Sequence, residues 1–182
     1  MPAETTDLPR STTLKERLTL RQPSESDGAA IWELIRTCKP LDENSMYCNL
    51  LQCCDFAETC VLAELDGCIV GWVSAYVKPA DPQTVFVWQV AVHEDARGHG
   101  VGRRMLAELL ERDVCADVTR MQTTITSDNA ASWALFTRFA DRGRAEIGSQ
   151  PHFLRHEHFA GAHATEHMVT IDLAAAGARK AA

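Results

Sequence analysis

The stretch "VHEDARGHGVGRRM" at residues 92–105 sets glycines at alternate positions 98, 100 and 102, directly ahead of a segment whose apolar residues recur at helical spacing. Glycines so placed leave successive backbone N–H groups unshielded. The N-terminus of the following helix adds the positive end of its dipole, so the loop is suited to an anion. A nucleotide P-loop requires GxxxxGK[ST], with a Lys for the terminal phosphates and a hydroxyl for magnesium, and this loop has neither. A dinucleotide fingerprint requires GxGxxG, and Arg103 stands where its last glycine belongs. What remains is Arg97-Gly98-His99-Gly100-Val101-Gly102 followed by Arg103. Backbone donors and two guanidiniums can there hold a pyrophosphate without a metal.

Upstream, "TVFVWQVAV" reads as a buried central strand and "KPADPQ" as the loop before it. "CVLAELDGCIVGWVSAYV" reads as two strands around Asp66-Gly67, a pair preferred in two-residue hairpin turns. "RLTLRQP" alternates and stops at Pro23, giving a first strand. "SESDGAAIWELIRTC" follows as a helix with Ser and Asp cap candidates. A shorter helix lies in "LDENSMYCNLLQCCDF", with Asp42, Asn44 or Ser45 as its cap and Tyr47, Leu50, Leu51 and Cys54 on one face. Downstream come a helix over about 100–115, a strand in "TRMQTTIT", a capped helix in "SDNAASWALFTRFA" and a final strand around 167–173. Strand, helix, strand after the loop implies parallel pairing across the glycine helix. The fold class is α/β with a mixed sheet, one domain over 17–173, between ends at 1–16 and 174–182 whose composition suggests disorder.

The chain has 182 residues, 46% of them hydrophobic, enough for a single core. A net charge of −7 disfavours nucleic acid or an anionic membrane as partner. Seven cysteines without a CxxC pair, and the lack of an apolar leader or membrane-length window, suggest reduced core thiols and a cytoplasmic protein.

"VAVHEDARGHGVGRRML" resembles the acetyl-CoA pyrophosphate loop of the GNAT-type N-acetyltransferases, with its preceding strand and following helix. "TSDNAASWALF" resembles that family's next strand and Asn-led helix, where Asn129 matches the Asn beside the pantetheine arm; the same side chain would serve as a helix cap. The resemblance implies a GNAT fold whose central parallel strands splay to admit acetyl-CoA as co-substrate. Backbone groups of Val90 and Val92 would bond it, the Val92 N–H polarising the thioester carbonyl. Dimerisation, common in the fold, is a further expectation.

Acetyl transfer needs a neutral amine, and an alkylammonium holds its proton to a pKa of about 10.4. A base and an acid for the thiolate are therefore required. Many family members carry a Glu on the strand before the loop, where "TVFVWQVAV" has no ionisable residue. Many carry a Tyr after the Leu of the Asn-led helix, where this chain has Phe136. Tyr47 and Tyr76 are the only tyrosines, and Tyr47 lies in the segment covering the acceptor site in this fold. "CKPLDENSMYCNLLQC", "FVWQVAV", "TTITSDNAASWALF" and "HATEH" together resemble the diaminobutyrate acetyltransferases of ectoine biosynthesis. That likeness implies a small diamino-acid substrate. Asp42 and Glu166 are candidates for its amines and Trp88 for its aliphatic carbons. Tyr47 is the candidate thiolate acid, and either His163 or Glu166 the base.

Two alternatives stay open: a GNAT acetyltransferase for another amine or a protein N-terminus, and an acyl-CoA sensor without turnover. The histidines at 152, 156, 158, 163 and 167 lack a Cys cluster or HExxH, and no metal is expected.

Overall fold

The computed structural model describes residues 17–39 and 41–173, so the two ends expected to lack order lie outside the described residues. The alternating first segment forms β1 (Leu18–Arg21), and a short 3-10 turn leads into α1 (Gly28–Thr37). Asp27 locks that entry. Its carboxylate accepts from two Arg21 Nη groups at 2.8 Å and from the Ser24 N–H at 2.7 Å, and the Arg21 guanidinium holds it well below the usual carboxylate range.

Helix α2 (Met46–Cys54) is capped by Ser45, whose hydroxyl accepts from the Cys48 N–H at 3.1 Å. Of its apolar stripe, Tyr47, Leu51 and Cys54 are exposed and only Leu50 is half-buried. Asn49, Gln52 and Cys53 are buried, whereas Tyr47 is 68% and Leu51 39% exposed. The helix lies on α1 and the turn before it, with Leu50 seated on Gly28, where a Cβ would come within 2.5 Å of Leu50 Cδ2. The buried amides answer each other, Asn49 Nδ2 donating to Gln52 Oε1 at 3.1 Å.

Strands β2 (Val61–Leu65) and β3 (Cys68–Lys78) meet at Asp66-Gly67, with φ of 51° and 81° as a primed hairpin turn demands. Strand β4 (Asp81–Val92) begins earlier than expected. Most of "KPADPQ" is strand, because Lys78 already pairs with Asp81. After the glycine loop come α3 (Val101–Glu111), β5 (Arg120–Thr126), α4 (Ala130–Gly143), β6 (Glu146–Phe153) and β7 (Glu166–Asp172). Strand β6 was not anticipated. Gly148 and Pro151 interrupt it and nearly all its side chains are exposed, so it carries no alternation; as an edge strand it tolerates the proline.

The seven strands form one sheet in the order β1-β2-β3-β4-β5-β7-β6, with β4 and β5 the parallel pair. One face is covered by α3 and α4, burying Val85, Val87, Met105, Leu106, Leu109 and Phe136. The other is covered by α1, whose Ile31 and Ile35 pack with Leu62, Trp72 and Ala91.

Candidate active site

Strands β4 and β5 pair only over residues 84–86 and 120–122, then part. The gap exposes specific backbone groups. The His93 N–H donates to the Val70 carbonyl at 2.9 Å, which makes 70 with 93 a hydrogen-bonded antiparallel pair. By alternation, 72 with 91 and 74 with 89 are also bonded. The intervening residues Val90 and Val92 therefore turn their N–H and C=O groups away from β3, toward the gap. The Val92 carbonyl is not free there, because it accepts from Arg97 Nε at 3.0 Å and Cys38 Sγ at 3.4 Å.

That Arg97 bond clasps the loop to the end of β4, and the His99 ring Nδ1 lies 2.8 Å from the Arg97 carbonyl. Gly98 and Gly100 hold φ of 77° and 74°, with open space where a Cβ would project. Left-handed backbone of this kind favours glycine, and it bares the N–H groups at the start of α3. Val101 is buried in the core, Gly102 packs against Leu135 Cδ1 of α4 at 3.3 Å from its would-be Cβ, and Arg103 is half-buried. Asn129 caps α4, its Oδ1 accepting from the Ser132 N–H at 3.1 Å. These residues fit the pyrophosphate and arm of acetyl-CoA: an open glycine turn, adjacent arginines and unpaired strand groups along one gap.

Beside the gap lies a cavity of about 540 Å³. Its lining brings together Asp42, Trp88, Val90, Asn129, His163 and Glu166, drawn from widely separated parts of the chain. Tyr47, Val92 and residues 97–103 are outside the lining. His163 Nε2 stands 3.7 Å from Asp42 Oδ2 and 3.8 Å from Glu166 Oε1, while Nδ1 lies 2.8 Å from the Ala164 carbonyl. With Nδ1 as donor to that carbonyl, Nε2 faces both carboxylates at ion-pair distance, beyond a direct hydrogen bond. Glu166, at the start of β7 opposite Thr126, has a side chain only 17% exposed, and its Oε2 is buried without a hydrogen-bond partner. Burial pushes its carboxyl above the ordinary carboxylate range, with His163 pulling the other way. A carboxylate so raised is a stronger base than an exposed one and is suited to hold an ammonium.

Trp88 is placed by a bulge. Ser74 pairs with Gln89 and Ala75 with Val87, so Trp88 is the extra residue of β4, half exposed at the cavity wall. The bulge also shifts the phase of the strand: Val85 and Val87 face the α3 side, but so do Val90 and Val92 after it. Asn44, Gln89, Thr123, Thr124, Asp128, Phe153 and Phe159 also line the cavity and were not anticipated. Only Gln89 left a trace in the sequence, as the one amide in an apolar run. Among the described residues no group of three or more His, Cys, Asp or Glu could hold a metal.

A mixed sheet splayed at its parallel pair, with a glycine turn at the mouth of the splay, defines the class. The profile of the Acetyltransferase (GNAT) family matches residues 28–140, and the chain belongs to this family. Within it, the chain is 50% identical to the L-2,4-diaminobutyric acid acetyltransferase of Methylotuvimicrobium alcaliphilum, over 85% of this chain and 90% of that protein. It is 49% identical to the enzyme of the same name from Vibrio cholerae, over 84% and 88%. The diaminobutyrate acetyltransferase EctA from Paenibacillus lautus, solved with its substrate L-2,4-diaminobutyric acid and coenzyme A, superposes with a TM-score of 0.82 at 36% identity, covering 86% of this chain and 95% of that one.

Proposed function

We propose that the chain transfers the acetyl group of acetyl-CoA to the 4-amino group of L-2,4-diaminobutyrate, giving N4-acetyl-L-2,4-diaminobutyrate for ectoine synthesis. The observation that carries this reading is the Asp42–His163–Glu166 cluster in a cavity beside the β4–β5 gap. The names of the relatives point to the same acceptor. Two carboxylates suit a substrate with two ammonium groups, and the indole of Trp88 can cover its carbon chain.

Acetyl-CoA supplies the thioester. Glu166, with His163 beside it, removes a proton from the 4-ammonium; the freed nitrogen pair attacks the carbonyl carbon, and as the carbon–sulfur bond breaks the nitrogen loses its second proton to water and becomes the neutral amide. The Val92 N–H supports the developing oxyanion. The thiolate takes its proton from Tyr47, which stands in the first turn of α2 and is open to solvent, from which its phenolate is reprotonated. Arg97, His99 and Arg103, with the N–H groups of residues 98–102, hold the pyrophosphate, and Asn129 and Val90 meet the arm.

The reading is tested by thiol release with L-2,4-diaminobutyrate, lysine and spermidine at equal concentration, and by NMR of the product. Selective turnover of diaminobutyrate acetylated at N4 is expected; equal rates for all three amines would overturn it.

We further infer a cytoplasmic homodimer. Its support is the seven free thiols, the exposed edge strand β6 and the exposed Met46, Tyr47, Leu51 and Phe56. Sedimentation at a single-chain mass would exclude the dimer.

A further inference from the structure

Gln89 borders the cavity and is only 8% exposed, yet both ends of its amide are spent on another segment. Nε2 donates to the Asp42 carbonyl at 2.9 Å, and Oε1 accepts from Asn44 Nδ2 at 3.3 Å. The other neutral ties of this loop run to α1 and its end: the Leu41 N–H to the Cys38 carbonyl and Trp32 Nε1 to the Asn44 carbonyl, both at 3.0 Å. Asp42 itself is largely exposed, so its own side chain does little to fix where the loop stands. Gln89 can reach the loop only because of the bulge one residue earlier. In an unbroken strand, residue 89 would share the face of Val85 and Val87, toward α3.

We propose that Gln89 is a positioning residue for the acceptor: it pins the backbone at Asp42 to the bulge of β4 and so holds the Asp42 carboxylate beside His163. The proposal rests on the reading of that cluster as the acceptor site. Gln89 acts through Asp42 and takes no part in proton transfer or thioester cleavage. Its loss therefore weakens acceptor binding and leaves the chemistry of a saturated enzyme intact.

Gln89→Leu, close in volume, removes both ties. The expected result is a roughly tenfold rise in KM for diaminobutyrate, with kcat within about twofold and acetyl-CoA affinity unchanged. In an Asp42→Asn background the same change adds less than about twofold, since the two residues act on one interaction. Gln89→Glu keeps an acceptor for the Asn44 amide and can donate to the Asp42 carbonyl only while its carboxyl is protonated. KM should therefore rise with pH as that proton is lost, while kcat keeps its wild-type pH profile. Asn44→Ala, on the loop itself, removes one tie without touching the core and should give a smaller rise in KM.

A fall in kcat at unchanged KM, additive losses in the double variant, or a wild-type KM for Gln89→Glu with its carboxyl ionised would each overturn the proposal. Failure of the wild-type chain to acetylate diaminobutyrate would instead overturn the functional reading, so the two are separable.

Discussion

In the proposed site, the donor end comes almost entirely from one run of chain, residues 90–103, with Asn129 added from the start of α4. The proposed acceptor end collects Asp42, Trp88, His163 and Glu166 from three separate regions; His163 meets Asp42 and Glu166 at 3.7 and 3.8 Å, and the two bonds of Gln89 tie the Asp42 loop to β4. The donor end works with backbone N–H groups, whose direction is set by local φ and ψ. The acceptor end works with titratable side chains, whose properties are set by burial and by each other. Changes at one end should therefore leave the other end's binding constant alone.

The largest expected effect is on the acceptor side. Glu166→Gln should lower kcat/KM by roughly 10²–10⁴-fold, the usual worth of a positioned base, while acetyl-CoA affinity measured by calorimetry stays at its wild-type value. Retained turnover would remove Glu166 from the chemistry. On the donor side, Gly100→Val forces a β-branched residue to a φ of 74° and puts atoms into the open turn. Backbone strain of this kind costs about 1–3 kcal/mol, so KM for acetyl-CoA should rise roughly tenfold or more and KM for diaminobutyrate should not move. A matched rise in both would break the division between the two ends.

Tyr47→Phe sharpens the comparison, because Tyr47 lies outside the cavity lining and belongs to neither end by contact. If it protonates the thiolate, kcat should fall roughly tenfold with donor affinity intact. A larger loss is not expected, since a thiol of pKa about 8.5 leaves reasonably well unaided. Unchanged turnover takes Tyr47 out of the mechanism. Asn129→Ala removes the cap of α4 at a cost of about 1 kcal/mol, which in a chain of this length lowers Tm by about 2–4 °C. Any effect on binding should fall on acetyl-CoA alone.

The smallest effect is on stability. Burial raises the Glu166 carboxyl in the folded state, so the folded protein holds that proton to higher pH than the unfolded chain. Its contribution is thus most favourable at low pH and is lost as pH rises through the folded value. Glu166→Gln should raise Tm at neutral pH, and the gain should shrink toward acid pH; a gain that grew on acidification would contradict the assignment.

The same division explains what could be read without coordinates. The glycine loop was legible because its function is carried by residue types at fixed spacing, and the Asp66-Gly67 turn for the same reason. The parallel order of β4 and β5 followed from connection rules. Three features were not legible. Helix α2 carries an apolar stripe of which only Leu50 packs inward, while the polar Asn49 and Gln52 are buried, so periodicity did not mark its buried face. Strand β6 has solvent on both faces and lacks the alternation that marks a half-buried strand. The phase shift at Trp88 adds one residue to β4 against β3, and only the register reveals it. Asp42, His163 and Glu166 could be nominated one by one from their chemistry; their meeting depends on how the sheet is ordered.

Beyond residue 86, β4 is a sheet edge that has been moved indoors. Outer edges recruit any extended chain that reaches them, and proteins guard them for that reason. This inner edge lies within the fold, where a thin filament bearing its own amides can take the missing strand's place. On the proposed reading the gap would recognise the carrier rather than its cargo. An acetyl group on a carrier without amides would present the same reactive carbon and bind less tightly.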